Sequence, residues 1–123
     1  MLPLLLVCNP NFVHQFVNMI AQISTQAAQE SIEQNPENVV IDVRTPMEWN
    51  EGIIPGALTI NIMDPQFVSR LEPLDRGKSY IIVCRSGGRS LSACQAMASM
   101  GFTDVSNMLG GMSHWQGPVA EYH

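Results

Sequence analysis

The chain has 123 residues, of which 46% are apolar and 14% charged, and this composition predicts a single globular domain with a buried core. Its net charge of −5 argues against nucleic acid as a partner. The three cysteines, Cys8, Cys84 and Cys94, are odd in number and lack metal-ligand spacing, which argues against a disulfide framework and a metal site. We therefore expect a cytoplasmic protein in a reducing compartment.

The first eight residues are apolar, but they are not predicted to be a signal peptide or a membrane span. No basic residue precedes Arg44, so the positive region that opens a signal peptide is missing. Pro3 interrupts the apolar run, which is also far shorter than the roughly 20 residues that cross a bilayer. Export is therefore the less favoured alternative.

An amphipathic helix is predicted in the residues that follow. Asn9-Pro10 suits a helix start, and apolar side chains then recur at helical spacing, at Phe12, Phe16 and Ile20. This helix would pack on the domain or mediate a homodimer. His14 has no cysteine or carboxylate at ligand spacing, and we interpret it as a surface or core residue and not as a metal ligand.

Strands and helices alternate along the rest of the chain. Strands are predicted at Ile23 and at residues 39–43, 58–62, 80–83 and 104–108. Helices are predicted at residues 25–34, after a Thr45 cap, from Asp64 through Leu71, at residues 90–100 and around Trp115. The alternation predicts an α/β fold with three layers, in which a mostly parallel five-stranded sheet carries helices on both faces. We assign residues 1–22 to an N-terminal helical extension and residues 23–123 to the domain.

The most informative stretch lies between the fourth strand and the long helix after it. Cys84 stands at the carboxyl end of the strand, which is where ligands bind in open α/β sheets. The residues after it, Arg85, Ser86, Gly87, Gly88, Arg89 and Ser90, form the candidate anion-binding loop. Two adjacent glycines let backbone N–H groups turn inward at the start of a helix, and the arginines add positive charge. All of these favour a thiolate, so Cys84 is the candidate nucleophile; the alternative is an ordinary buried cysteine beside a tight turn.

Asp42 and Arg44 lie near the end of the second predicted strand. Charged residues at such a position most often pair locally and hold loops in place, so we assign them a supporting role and not a catalytic one. Thr45-Pro-Met-Glu48 reads as a capping box with proline at the first helical position.

Several motifs together resemble one known family. Cys84-Arg-Ser-Gly-Gly-Arg-Ser90 is similar to the active-site loop of the single-domain rhodaneses. The other matching motifs occur in that family's order and spacing: Val40-Ile-Asp42-Val-Arg44, Glu48-Trp49, Gly52-Ile-Ile-Pro55-Gly56-Ala57, and Leu109-Gly110-Gly111-Met112 with Trp115. The resemblance covers roughly Ile23 to Val119. One departure is Ile53, which stands where the family usually has histidine.

The resemblance implies a rhodanese-like fold and a thiosulfate sulfurtransferase-like activity. Cys84 would take a sulfane sulfur from a small anionic donor such as thiosulfate, hold it as a persulfide, and pass it to a thiol or to cyanide. The thiol acceptor could belong to another protein. No metal or organic cofactor is implied, and neither nucleic acid nor a membrane span is expected.

Two other functions remain as alternatives. A cysteine-dependent phosphatase or arsenate reductase on the same fold would also use a thiolate in an anion-binding loop. Such enzymes resemble Cys-x5-Arg, whereas this chain has Cys84-x4-Arg89, and the smaller ring suits a terminal sulfur. A rhodanese-like interaction module usually lacks the cysteine that is present here.

Two further residues carry structural expectations. Cys94 shares a predicted helix face with Leu91 and Ala98, so we expect it to be buried and to serve packing instead of resolving a Cys84 persulfide. Trp115 is predicted to be a core anchor, with an aromatic rim on the site as the alternative.

Overall fold

The computed structural model describes residues 20–123. Nearly all of the predicted N-terminal extension, with Cys8 and His14, lies outside the described residues. No helix within residues 20–123 combines the length and the apolar composition that crossing a membrane would require.

Five strands and five helices follow one another in the described residues. The strands are β1 (Ala21–Ile23), β2 (Val39–Asp42), β3 (Leu58–Thr59), β4 (Ser79–Val83) and β5 (Asp104–Met108). The helices are α1 (Thr25–Gln34), α2 (Pro46–Trp49), α3 (Phe67–Leu71), α4 (Gly88–Ser99) and α5 (Gly111–His114).

The strands form one sheet in the order β1-β5-β4-β2-β3, with every neighbouring pair parallel. This confirms the predicted five-stranded α/β architecture. Because all the strands point the same way, the segments that leave β2, β4 and β5 begin at one edge of the sheet. Cys84 therefore starts its loop between the residues that follow β2 and those that follow β5.

Successive residues of the buried strands pack into two separate hydrophobic cores, one on each face of the sheet. Ile41 and Ile82 belong to a core that also contains Leu71 of α3 and Met97 of α4. The opposite core includes Val40, Ile81 and Met108 together with Ala28 of α1. Period-two alternation in buried strands thus produces the three predicted layers.

Local capping residues explain where the first two helices begin. Ser24 Oγ accepts a hydrogen bond from the Ala27 N–H at 3.0 Å and caps α1. Thr45 and Glu48 form the predicted capping box of α2. The capping box at Thr45 was predicted and is confirmed, whereas the sequence left Ser24 and Thr25 as alternative caps of α1, and the structure has Ser24.

Between β2 and β4, two predicted elements differ from the observed ones. β3 comprises only Leu58 and Thr59 and not residues 58–62. As an edge strand it pairs with β2 alone, and beyond Thr59 only single hydrogen bonds continue to the β2 side, from the Ile60 N–H to the Asp42 carbonyl and from the Ile62 N–H to the Val43 carbonyl, before a turn forms at Asn61. α3 begins at Phe67 and not directly after Asp64, because the Asp64 carboxylate accepts from the Gln66 N–H at 2.8 Å and stabilises a turn there.

Candidate active site

The turn from β4 to α4 depends on glycine at position 87. Gly87 has φ of +105°, a backbone conformation that other residues adopt only with strain, and it is the N-cap of α4. This conformation directs the Gly87 N–H at Cys84 Sγ, 3.0 Å away. α4 starts at Gly88, two residues before the predicted start at Ser90, so the helix N-terminus begins closer to the sulfur than the sequence pattern indicated.

Cys84 is fully buried, yet its sulfur is surrounded by hydrogen-bond donors. Burial raises the pKa of the Cys84 thiol, but hydrogen bonds from the Ser90 side chain and from the N–H groups of Ser90, Gly87 and Ser86 lower the pKa by more. The Ser90 hydroxyl oxygen lies 3.3 Å from Sγ. The net shift is downward, so Cys84 forms a thiolate more readily than an ordinary cysteine does.

The two arginines of the loop have different surroundings. Arg89 makes a bidentate ion pair with Glu48, at 2.8 and 2.9 Å. These hydrogen bonds lower the pKa of Glu48 to about 2 and raise that of Arg89. Arg85 is exposed, and its side chain has no ion pair within residues 20–123. Of the two loop arginines, Arg89 is thus held by a carboxylate, whereas Arg85 has no such partner within residues 20–123.

Asp42 and Arg44 form a buried ion pair at the end of β2. Their side chains are 0% and 4% exposed, and the closest N–O distance is 2.8 Å. Arg44 also donates to the Gly52 carbonyl, and Trp49 Nε1 donates to Asp42 Oδ1 at 3.2 Å. The pair thereby ties β2 to α2 and to the segment after it, which fits a supporting role.

Helix α5 packs directly on the Cys84 loop. The Met112 N–H donates to the Cys84 carbonyl at 2.8 Å, and the Ser113 N–H donates to the Arg85 carbonyl at 3.0 Å. A Cβ on Gly111 would collide with both of these carbonyls. The Gly110-Gly111 motif thus allows the backbone approach that supports the loop from behind.

A cavity of about 150 Å³ borders the loop. Its lining residues are Arg44, Glu48, Glu51, Arg85, Met112 and Ser113. A larger cavity of about 320 Å³ lies around Trp49 and Tyr122, but no residue of the Cys84–Ser90 loop lines it. The smaller cavity is therefore the better candidate for a substrate site.

Asn107 was not predicted, although it contacts the loop directly. It is 1% exposed, its amide group donates to the Gly87 carbonyl at 3.1 Å, and its oxygen contacts the Ser90 hydroxyl. The sequence contains one signal that could have revealed it. Asn107 stands two residues after Val105 in β5, on the face where strand alternation predicts a buried apolar side chain.

Ile53 occupies a core position. It is 8% exposed, and its backbone pairs in both directions with Ala120, at 3.0 and 2.8 Å. The position where histidine is usual in the family that the sequence resembles is therefore apolar and covered by the C-terminal segment.

Trp115 is half-buried and not a full core anchor. Its ring packs at the border of the core that contains Val40 and Ile81, and its Nε1 donates to the Pro118 carbonyl at 2.9 Å. The short α5 ends just before it, at His114.

Cys94 is fully buried in α4, as predicted. Burial, together with the nearby Cys84, raises the pKa of the Cys94 thiol to about 12. A thiol of this kind is a poor nucleophile and packs as a small apolar group.

We therefore expect Cys94→Ala to keep the activity of Cys84 while lowering the free energy of unfolding by about 1 kcal/mol, because only the sulfur volume is lost. Turnover checks the retained activity, and urea unfolding of the same preparation checks the change in the free energy of unfolding. A collapse in turnover, or a Cys84–Cys94 disulfide in oxidised wild type, would show that Cys94 takes part in the chemistry.

Comparisons with known proteins agree with the fold. The model of the Rhodanese-like domain family matches residues 24–118. "Putative sulfurtransferase YtwF" of Bacillus subtilis is 43% identical over 98 residues, covering 80% of this chain and 92% of that protein. "Thiosulfate sulfurtransferase GlpE" of Shewanella oneidensis is 30% identical over 105 residues, covering 85% and 93%. A solved rhodanese-like domain protein from Staphylococcus aureus has a TM-score of 0.76 at 26% identity, covering 85% of this chain and 100% of that one.

Proposed function

The chain belongs to the family of rhodanese-like domains, and we propose that it acts as a sulfurtransferase with Cys84 as the sulfur carrier. The observation that carries this proposal is the set of donors around Cys84 Sγ, above all the Gly87 N–H at 3.0 Å and the Ser90 hydroxyl at 3.3 Å. These donors favour the thiolate that the reaction needs. Relatives named as sulfurtransferases support the same assignment.

The proposed reaction has two displacement steps. In the first, the Cys84 thiolate attacks the outer sulfur of thiosulfate, a bond forms between the two sulfurs, and sulfite leaves with the electron pair of the broken S–S bond. In the second, a thiolate or cyanide attacks the transferred sulfur, and Cys84 departs as thiolate. In each step the attacking nucleophile supplies an electron pair and the leaving group takes one away, so no cofactor is needed.

The loop would stabilise the anionic species at each stage. N–H groups at a helix N-terminus present partial positive charge, and α4 is 12 residues long, so its dipole adds to that of the loop. Because the donors are already oriented by the Gly87 conformation, little reorganisation is required when charge moves to the persulfide.

Intact mass spectrometry tests the proposal. Incubation with thiosulfate should add the mass of one sulfur atom to the chain, and subsequent cyanide or thiol should remove it. Peptide mapping should place the added sulfur on Cys84. No mass gain with thiosulfate or with an organic persulfide would contradict the proposed function.

Arg85 is proposed to bind the anionic donor, because it lines the cavity beside the loop and its charge is not paired within residues 20–123. We expect Arg85→Gln to raise KM for thiosulfate by about five- to tenfold with a smaller change in kcat. The difference in KM between Arg85→Gln and wild type should shrink as salt is added, because salt screens the charge of Arg85.

Lys78→Gln is the matched control for Arg85→Gln. It removes the same charge from an exposed residue just before β4, at the opposite end of the strand that Cys84 follows. An equal rise in KM in both variants would mean that the net charge of the protein, and not Arg85, attracts the donor.

The phosphatase or arsenate reductase alternative receives less support. Wrapping a tetrahedral oxyanion calls for an arginine directed into the loop, but Arg89 is held by Glu48. The loop is also one residue shorter than Cys-x5-Arg. A rhodanese-like interaction module would have no need for a stabilised thiolate, so that alternative does not explain the hydrogen-bond donors around Cys84 Sγ.

A further inference from the structure

The Ser90 hydroxyl stands between two hydrogen-bond acceptors. Its oxygen lies 3.3 Å from Cys84 Sγ and 2.5 Å from Asn107 Oδ1. A hydroxyl has a single proton to donate, so it serves one of these acceptors at a time. Ser90 is fully buried, which leaves little scope for solvent to satisfy the other acceptor.

The orientation of the Asn107 amide follows from its other contacts. Asn107 Nδ2 lies 3.1 Å from the Gly87 carbonyl oxygen and 3.1 Å from Gln22 Oε1. A backbone carbonyl can only accept, so the nitrogen of the amide must face Gly87. Asn107 Oδ1 is then directed at Ser90 and can only accept there.

We propose that Asn107 is a positioning residue that competes with Cys84 for the single hydroxyl proton of Ser90. While Cys84 is a thiol, Ser90 donates to Asn107 Oδ1. When Cys84 becomes a thiolate, the hydroxyl turns its proton to Sγ and gives up the contact with Asn107. The residue therefore sets how strongly Ser90 stabilises the thiolate.

During catalysis, the Ser90 hydroxyl would therefore alternate between donating to Cys84 Sγ and donating to Asn107 Oδ1. This consequence rests on the proposed function. Once Sγ is bonded to the transferred sulfur, the negative charge lies on the outer sulfur, and the Ser90 proton is free to return to Asn107. A thiolate becomes a weaker nucleophile as the pKa of its thiol is lowered. By limiting how strongly Ser90 stabilises the Cys84 thiolate, Asn107 therefore also preserves its nucleophilicity.

Other ionisable groups near Cys84 stay unchanged in the test. Arg85 and Arg89 come from the loop and α4, and Cys94 comes from α4. Asp42 is the last residue of β2, the charged groups Arg44, Glu48 and Glu51 follow that strand, and α5 contributes His114. A shift caused by an Asn107 variant alone can therefore be assigned to the amide.

The experiment measures the rate of Cys84 alkylation by iodoacetamide against pH. Wild type is compared with Asn107→Ala, Asn107→Leu, Ser90→Ala and the double variant Ser90→Ala/Asn107→Ala. We expect both Asn107 variants to lower the apparent pKa of Cys84 by about half a unit to one unit, since Ser90 then serves Sγ alone. Ser90→Ala should raise that pKa, and in the Ser90→Ala background Asn107→Ala should have no further effect.

Ser106→Ala is the control, because it shortens the neighbouring polar residue of β5, whose side chain makes no hydrogen bond within residues 20–123. A higher pKa in the Asn107 variants, or the same shift in the Ser90→Ala background or in Ser106→Ala, would overturn the proposal and assign Asn107 to loop structure. Asn107→Leu keeps the branching and the number of heavy atoms of the side chain if the alanine variant fails to fold. Alkylation needs no sulfur donor, so a negative persulfide result leaves this test standing.

Discussion

Cys84→Ser is expected to abolish sulfur transfer from thiosulfate to cyanide, a loss of at least about a thousandfold, while the fold stays intact. A serine hydroxyl does not ionise in the accessible pH range and cannot hold a sulfane sulfur. It can accept the hydrogen bond from the Gly87 N–H, so the loop and the start of α4 should keep their geometry.

Steady-state rates and intact mass on the same sample check this result. The serine variant should show no added sulfur and an unfolding midpoint close to that of wild type. Cys94→Ala is its control, because it removes the buried cysteine of α4 without touching the loop donors. Cys84→Ser turnover within tenfold of wild type would mean that the reaction does not pass through Cys84.

The parts of the fold that were predicted correctly are those that depend on neighbouring residues. Ser24 and Thr45 cap their helices through bonds that reach only three residues along the chain. The length of β3 and the start of α3 were predicted wrongly. The end of an edge strand depends on its partner strand, here β2, and the Asp64 side chain can stabilise a turn as readily as it can cap a helix.

The candidate site shows the same division. Cys84, Gly87 and Ser90 lie within seven residues, so a strand, a glycine turn and a helix start were enough to predict their convergence. The Arg89–Glu48 pair joins residues 41 apart. A capping box already accounted for Glu48, so nothing in the sequence indicated that its carboxylate would also bind an arginine.

Asn107 was missed for a related reason. Its contacts with Ser90 and Gln22 span 17 and 85 residues, and they exist only because β5 lies between β4 and β1. The order of strands in a parallel sheet depends on how whole strand–helix–strand units pack together, and the pattern of neighbouring residues does not reveal this.

Asp42→Ala is expected to lower the free energy of unfolding by about 3–5 kcal/mol. Asp42 is fully buried and accepts from the Arg44 guanidinium, the Arg44 N–H and the Trp49 indole. Removing it leaves the buried Arg44 charge without a counterion. The link from β2 to α2 should loosen as well, and α2 carries the Glu48 that holds Arg89.

Urea denaturation with matched variants tests whether the buried charge causes this loss. Glu72→Gln breaks the exposed pair with Arg76, whose side chain is 32% exposed, and should change stability by at most about 0.5 kcal/mol. The double variant Asp42→Ala/Arg44→Leu should recover part of the loss, because the uncompensated charge is then gone. A double variant as unstable as Asp42→Ala would attribute the loss to the hydrogen bonds from Trp49 and the backbone, and not to the stranded charge on Arg44.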